Sequence, residues 1–138
     1  MFRVRSGRCT FSIRTRLIYY FKRRGCVAER FAQVDPEDAI LSTIVLYELQ
    51  VGMEKAGFPP RQIADLEGLL NDTRRVAFDR AAAEAAAFIR ASLEARGAPI
   101  GPIDVLIAGV ALSLDATLVT HNTREFSRIP NLAIVDWF

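Results

Sequence analysis

Apolar residues along this chain fall into short continuous runs separated by amphipathic stretches. Ala39–Ser42 (AILS), Ala116–Thr120 (ATLVT) and Leu132–Val135 (LAIV) hardly alternate, as expected of short strands buried on both faces of a parallel sheet. Thr73–Phe78 (TRRVAF) is a further candidate strand. Thr43 is placed to cap a helix running to about Lys55, which Gly57 and the Pro59-Pro60 pair stop. Arg61–Asn71 sets Ile63, Leu66, Leu69 and Leu70 on one side of a second helix. The alanine-rich stretch Arg80–Arg96 has strong helix propensity, reads as a close-packed helix face, and ends at Gly97. Ile103–Leu114 forms the next predicted helix, and Leu17–Phe31 another, weakened by Gly25, with Tyr20, Val27 and Phe31 as core contacts. Asp35–Asp38 (DPED) is a turn or a helix start. Residues 1–16 show no clean period, because Arg and Ser/Thr interrupt every candidate strand. Strands alternating with helices predict one α/β domain over residues 1–138 with a mostly parallel sheet.

Size and composition agree with that reading. At 138 residues, 51% hydrophobic and 25% charged, the chain suits a globular domain rather than a disordered one. No apolar run approaches the ~20 residues that span a bilayer. Leu17–Phe21 is shorter than the ~7–15 residues of a secretory core, so the expected location is the cytoplasm. Cys9 and Cys26 have no zinc-like companions and read as two reduced thiols. Charge is strongly asymmetric. Residues 1–30 carry nine Lys or Arg against Glu29 alone, a net +8, and the remainder nine against fifteen, a net −6. A basic end on an acidic body attracts nucleic acid phosphates or an acidic partner, or is a solvated tail.

The candidate chemistry lies where carboxylates interrupt apolar runs: Glu48 within Leu41–Val51 and Asp104 within Ile100–Leu112. An ionised carboxylate facing a core is costly unless it is paired, hydrogen-bonded or bound to a cation, so two of them suggest a shared metal. Each has a plainer alternative. Glu48, with Gly52 one turn on, either opens into space for a metal, water or phosphate, or reaches the surface or a buried Arg. Asp104 either faces a protected cleft or only stabilises the start of its helix. Thr120, His121 and Asn122 follow a predicted strand, the place where parallel sheets bind ligands. Asn122 suits orientation of a water or phosphate oxygen but not general base chemistry. His121 is the only histidine, weak grounds for a metal site. No glycine-rich phosphate loop, nucleophile elbow or CxxC motif is present, which argues against a nucleotide-binding domain.

Three blocks, LSTIVLYELQVG (41–52), IGPIDVLIAGVAL (100–112) and LVTHNTREFSRIPNLAIVDW (118–137), resemble those of VapC-type PIN-domain toxins, the ribonucleases of toxin–antitoxin pairs. The resemblance covers about residues 17–138. It implies a PIN-like fold, a twisted and largely parallel sheet of four or five short strands between helices. It also implies metal-dependent RNA hydrolysis with Mg²⁺ or Mn²⁺, an antitoxin partner and a homodimer. Position by position, Glu48 matches the acid of the family's E-L-x-x-G segment and Asp104 the acid opening the helix after I-G-x-x-D. Asn122 falls where the family has Asn or Asp, with Phe126 as the packing residue that follows. Metal binding would fall to Asp104 and Glu48, outer-shell or substrate contact to Asn122, and Ser42 and Thr120 would line the cleft.

The resemblance breaks at the N-terminus. Leu17–Lys22 (LIYYFK) matches the family's first helix, and counting back sets Ser12-Ile13-Arg14-Thr15 where the family has L-D-T-N. Ile13 thus takes the position of the first metal-binding Asp, and no acid precedes Glu29. A cation there loses one hard oxygen ligand and one negative charge, and Arg14 or Arg16 is near enough in sequence to pair with Glu48 or Asp104 instead. The sequence therefore supports a ribonuclease weakened by Ile13 and, as an alternative, a catalytically silent PIN-like module that binds an antitoxin and RNA.

Overall fold

The computed structural model describes residues 9–11 and 25–137. Five strands form one sheet, β1 (Cys9–Phe11), β2 (Ala39–Ser42), β3 (Arg74–Val76), β4 (Thr117–Val119) and β5 (Ile134–Val135), in the order β3-β2-β1-β4-β5. All four ladders are parallel, with Thr10 opposite Ile40 on one side and Leu118 on the other. The helices are α1 (Gly25–Ala32), α2 (Thr43–Ala56), α3 (Pro60–Asn71), α4 (Arg80–Ala95), α5 (Pro102–Ser113) and the single turn α6 (Thr123–Phe126). This is an α/β architecture with five short parallel strands, within the four or five that the resemblance implies. None of the described helices is long and apolar enough to cross a membrane.

Most elements lie where the apolar pattern sets them, and the differences have local causes. Ser42, not Thr43, caps α2: its buried Oγ accepts the Val45 N–H at 3.2 Å. The Pro59-Pro60 pair ends nothing, since Gly57 in the left-handed conformation (φ 73°) has already closed α2 and Pro60 opens α3. Proline is favoured there because its missing N–H has no partner in a first turn. The larger correction is β1. The unpatterned N-terminal stretch supplies the central strand, and Cys9 and Thr10 are wholly buried. The helix expected over Leu17–Phe31 is described only from Gly25, where Phe31 packs against the core. Tyr20, Leu17–Lys22 and Ile13 lie outside the described residues, and Val27 and Cys26 outside the described side chains. Cys9 is a free thiol, and burial, aided by the Asp38 carboxylate, pushes its pKa up. A thiol held protonated in this way is a poor nucleophile.

Two features carry the packing. Helix α5 is apolar nearly all round, burying Val105, Ile107, Ala108, Gly109, Val110 and Ala111. It lies against α2, α4 and β4. Its contact with α4 is so close that a Cβ at Gly109 would stand 2.7 Å from Ala86 Cβ and 2.8 Å from the Ala82 carbonyl oxygen. The alanine run of α4 is thus a packing face. The second feature is a cost: the hydroxyls of Thr10 and Thr117 are buried without a hydrogen-bond partner among the described residues.

Both features yield expectations readable by urea unfolding. Gly109→Ala lowers stability by about 1–2 kcal/mol, because overpacking against the backbone outweighs the ~0.5–1 kcal/mol gain in helix propensity. Thr10→Val raises stability by about 1 kcal/mol, since it removes an unpaired buried hydroxyl at nearly constant volume.

Candidate active site

The order of the sheet decides where a site can form. Chain order reverses at β1, which has β2 on one side and β4 on the other. In a parallel sheet a crevice opens beyond the strand carboxyl ends at such a reversal, and ligands bind there. The residues singled out in the sequence are carried by the segments that leave these ends or pack beside them.

From β2 the chain passes directly into α2. Ser42 is completely buried, and its hydroxyl is engaged as the helix cap. That bond anchors the start of the helix that carries Glu48. Glu48 is half-buried, in the second turn of α2, flanked by the fully buried Val45 and Leu49. Asp104 is also half-buried and occupies the first turn of α5, where the helix dipole favours an anion. Gly101, at the cap of α5, leaves room beside it: a Cβ there would come 3.3 Å from Asp104 Oδ2. The helices carrying these two acids, α2 and α5, pack on each other.

From β4 the chain enters a tight polar turn. Thr120 is buried, and its Oγ1 accepts the Asn122 N–H at 3.0 Å. Asn122 is half-buried, and its Nδ2 donates to Glu125 Oε2 at 2.9 Å. Phe126 closes the turn from below with no exposed surface, the packing role expected of it. His121 faces outward, with Nδ1 3.1 Å from Asp136 Oδ2 just past β5.

The structure therefore joins Thr120, Asn122 and Glu125 by hydrogen bonds and sets Glu48 and Asp104 on contacting helices. Among the described residues, no three His, Cys, Asp or Glu side chains gather as a metal-binding group. The sequence reading missed Glu125 and Asp136. Glu125 had a usable signal, since Asn122-x-x-Glu125 is the spacing of a helix-capping pair. Asp136 had none, because its contact with His121 depends on β4 pairing with β5.

Comparison with known proteins agrees with this geometry. The PIN domain family matches residues 16–132. The tRNA(fMet)-specific endonuclease VapC of Shigella flexneri is 40% identical over 111 residues, which make up 80% of this chain and 83% of that protein. Among solved structures, DNA-bound VapBC from Salmonella typhimurium matches with a TM-score of 0.85 and 35% identity, over 95% of this chain and 98% of that one. VapBC2 from Rickettsia felis, bound to a DNA fragment from its promoter, matches with a TM-score of 0.84 and 29% identity, over 94% and 98%. With the sheet order, the α2 and α5 acids and the polar turn after β4 in place, this chain belongs to the PIN-domain family and, within it, to the VapC proteins.

Proposed function

We propose that this chain is the toxin of a toxin–antitoxin pair, an endoribonuclease that depends on a divalent cation and is held by a cognate antitoxin. The observation that carries this reading is its 40% identity, over most of its length, to a VapC that is a tRNA(fMet)-specific endonuclease. VapBC assemblies of similar fold support the antitoxin partner. Tyr47 on α2 and Phe88 on α4, 59% and 65% exposed, supply apolar surface for protein contacts with an antitoxin or a second copy in a homodimer. The cytoplasm is the compartment that fits such a pair.

The donor chemistry suits Mg²⁺ or Mn²⁺. Glu48 and Asp104 offer oxygen ligands only, and Mg²⁺ is commonly held by one or two carboxylates, with water and substrate phosphate completing its shell. When bound, the cation supplies charge stabilisation to the phosphate under attack. Asp104 is assigned to hold it from the first turn of α5. Glu48 is assigned to share that binding or to orient and deprotonate the attacking water. Asn122 contributes an outer-shell or substrate contact, and Thr120 fixes the turn that presents it.

Ile13 supports a second reading, a silent PIN-like module that binds its antitoxin, and RNA through the basic N-terminal segment, without cutting. The two are separable by measurement. Calorimetry on the purified chain should show Mn²⁺ binding that Asp104→Asn abolishes, with RNA cleavage falling by about 10²-fold or more. Absence of binding by the folded wild-type chain would move the assignment to the silent module. Ile13→Asp should raise metal-dependent cleavage at least tenfold, as a restored carboxylate tightens the site. No gain from a variant with an unchanged circular dichroism spectrum would refute the role given to position 13.

A further inference from the structure

Two arginines lace together segments that are far apart in sequence. Arg96 closes α4, and its Nη2 donates to the backbone carbonyl oxygen of Arg128. Arg128 follows α6, and its Nη1 donates back to the Pro99 carbonyl oxygen at 3.0 Å. Arginine ordinarily seeks a carboxylate or a phosphate, yet neither guanidinium pairs with an acid among the described residues. Both are spent on the backbone. What they tie down is the loop 97–101, which leads into the helix carrying Asp104. Its start is set by Gly97 in the left-handed conformation (φ 66°), with the Ala98 N–H donating to the Leu93 carbonyl at 2.9 Å. At its far end the Gly101 carbonyl accepts the Val105 N–H at 3.0 Å, and a Cβ on Gly101 would stand 3.3 Å from Asp104 Oδ2. Any shift of this backbone therefore reaches the carboxylate. Arg128 is a firm anchor, half-buried between the buried Phe126 and Ile129.

We infer that Arg128, assisted by Arg96, is a positioning residue for Asp104: it holds the loop 97–101 to the segment after α6 and so fixes the start of α5. The inference rests on the assignment of Asp104 to the metal made above. Two bonds running in opposite senses between the same two segments resist the sliding that one bond would permit. Each is charge-assisted, and the planar guanidinium gives it a direction that a lysine ammonium lacks.

The test uses the full chain, with Mn²⁺ as the probe. Arg128→Ala should weaken Mn²⁺ binding about fivefold to tenfold by calorimetry, as loss of a group that orients a metal ligand does. In the metal-free protein it should speed amide hydrogen exchange at Ala98 and Val105 severalfold. Arg128→Lys, a milder change that keeps the charge, should weaken binding only about twofold. Arg96→Ala should act in the same direction, and the double variant should lose less than the product of the two single losses, because the links act in series. Arg90→Ala, which removes an exposed ion pair of the same helix, should leave both readouts unchanged. Either readout unmoved in Arg128→Ala would overturn the inference. So would a raised KM for RNA with unchanged Mn²⁺ affinity, which would make Arg128 a phosphate contact. If Asp104→Asn binds Mn²⁺ as the wild type does, or the wild type binds none, it is the metal assignment of Asp104 that fails, and the inference falls with it.

Discussion

The pairing of β1 between β2 and β4 is the constraint on which the other parts of this molecule depend. Because both neighbours run parallel to it, the chain must cross over after β1 and again before β4, and those crossovers carry helices of the sheet's cover. The same pairing aligns the carboxyl ends of the three strands. The chain then leaves β2 as α2, bearing Glu48, and leaves β4 as the Thr120–Asn122 turn. Asp104 is carried by a different element, the helix α5, which is buried on nearly every side and packs on α2 and β4. The acidic body of the chain is thus assembled by backbone pairing, with side-chain chemistry added at its rim.

Much of this architecture was legible because burial on both faces erases the alternation of a half-exposed strand. Ala39–Ser42 and the segment around Leu118 announced themselves in that way. The alanine run likewise foretold a close helix contact, which Gly109 completes from the other helix. The strand at Cys9–Phe11 was hidden because it is only three residues long and is set among Arg and Ser/Thr. Its burial comes from two neighbours far along the chain, and Thr10 takes its place with a hydroxyl unpaired among the described residues. Local spacing also fails to choose between adjacent polar residues: Ser42 and Thr43 are equally good caps until the end of β2 decides.

The candidate site was legible in its charges and less so in its hydrogen bonds. Glu48 and Asp104 stood out as acids within apolar runs, and both are half-buried in the fold. The sequence also suggested Asn122, but not that Glu125 would turn its amide. A capping pair and an amide–carboxylate hydrogen bond share the same spacing, and only the direction of the side chain tells them apart. Ser42, at the end of β2, likewise has its hydroxyl engaged in starting a helix, which spacing alone does not reveal.

The central position of β1 has a consequence for biosynthesis. One edge of this strand can pair as soon as β2 emerges, but the other waits for β4, about a hundred residues later. At ribosomal speeds of roughly 5–20 residues per second, that edge stands open for several seconds or more. During that interval the nascent chain displays unpaired backbone amides and carbonyls, a ready template for a wrong strand. A partner that engages the chain early, or a chaperone that covers the edge, would act on this molecule before it has a site to inhibit.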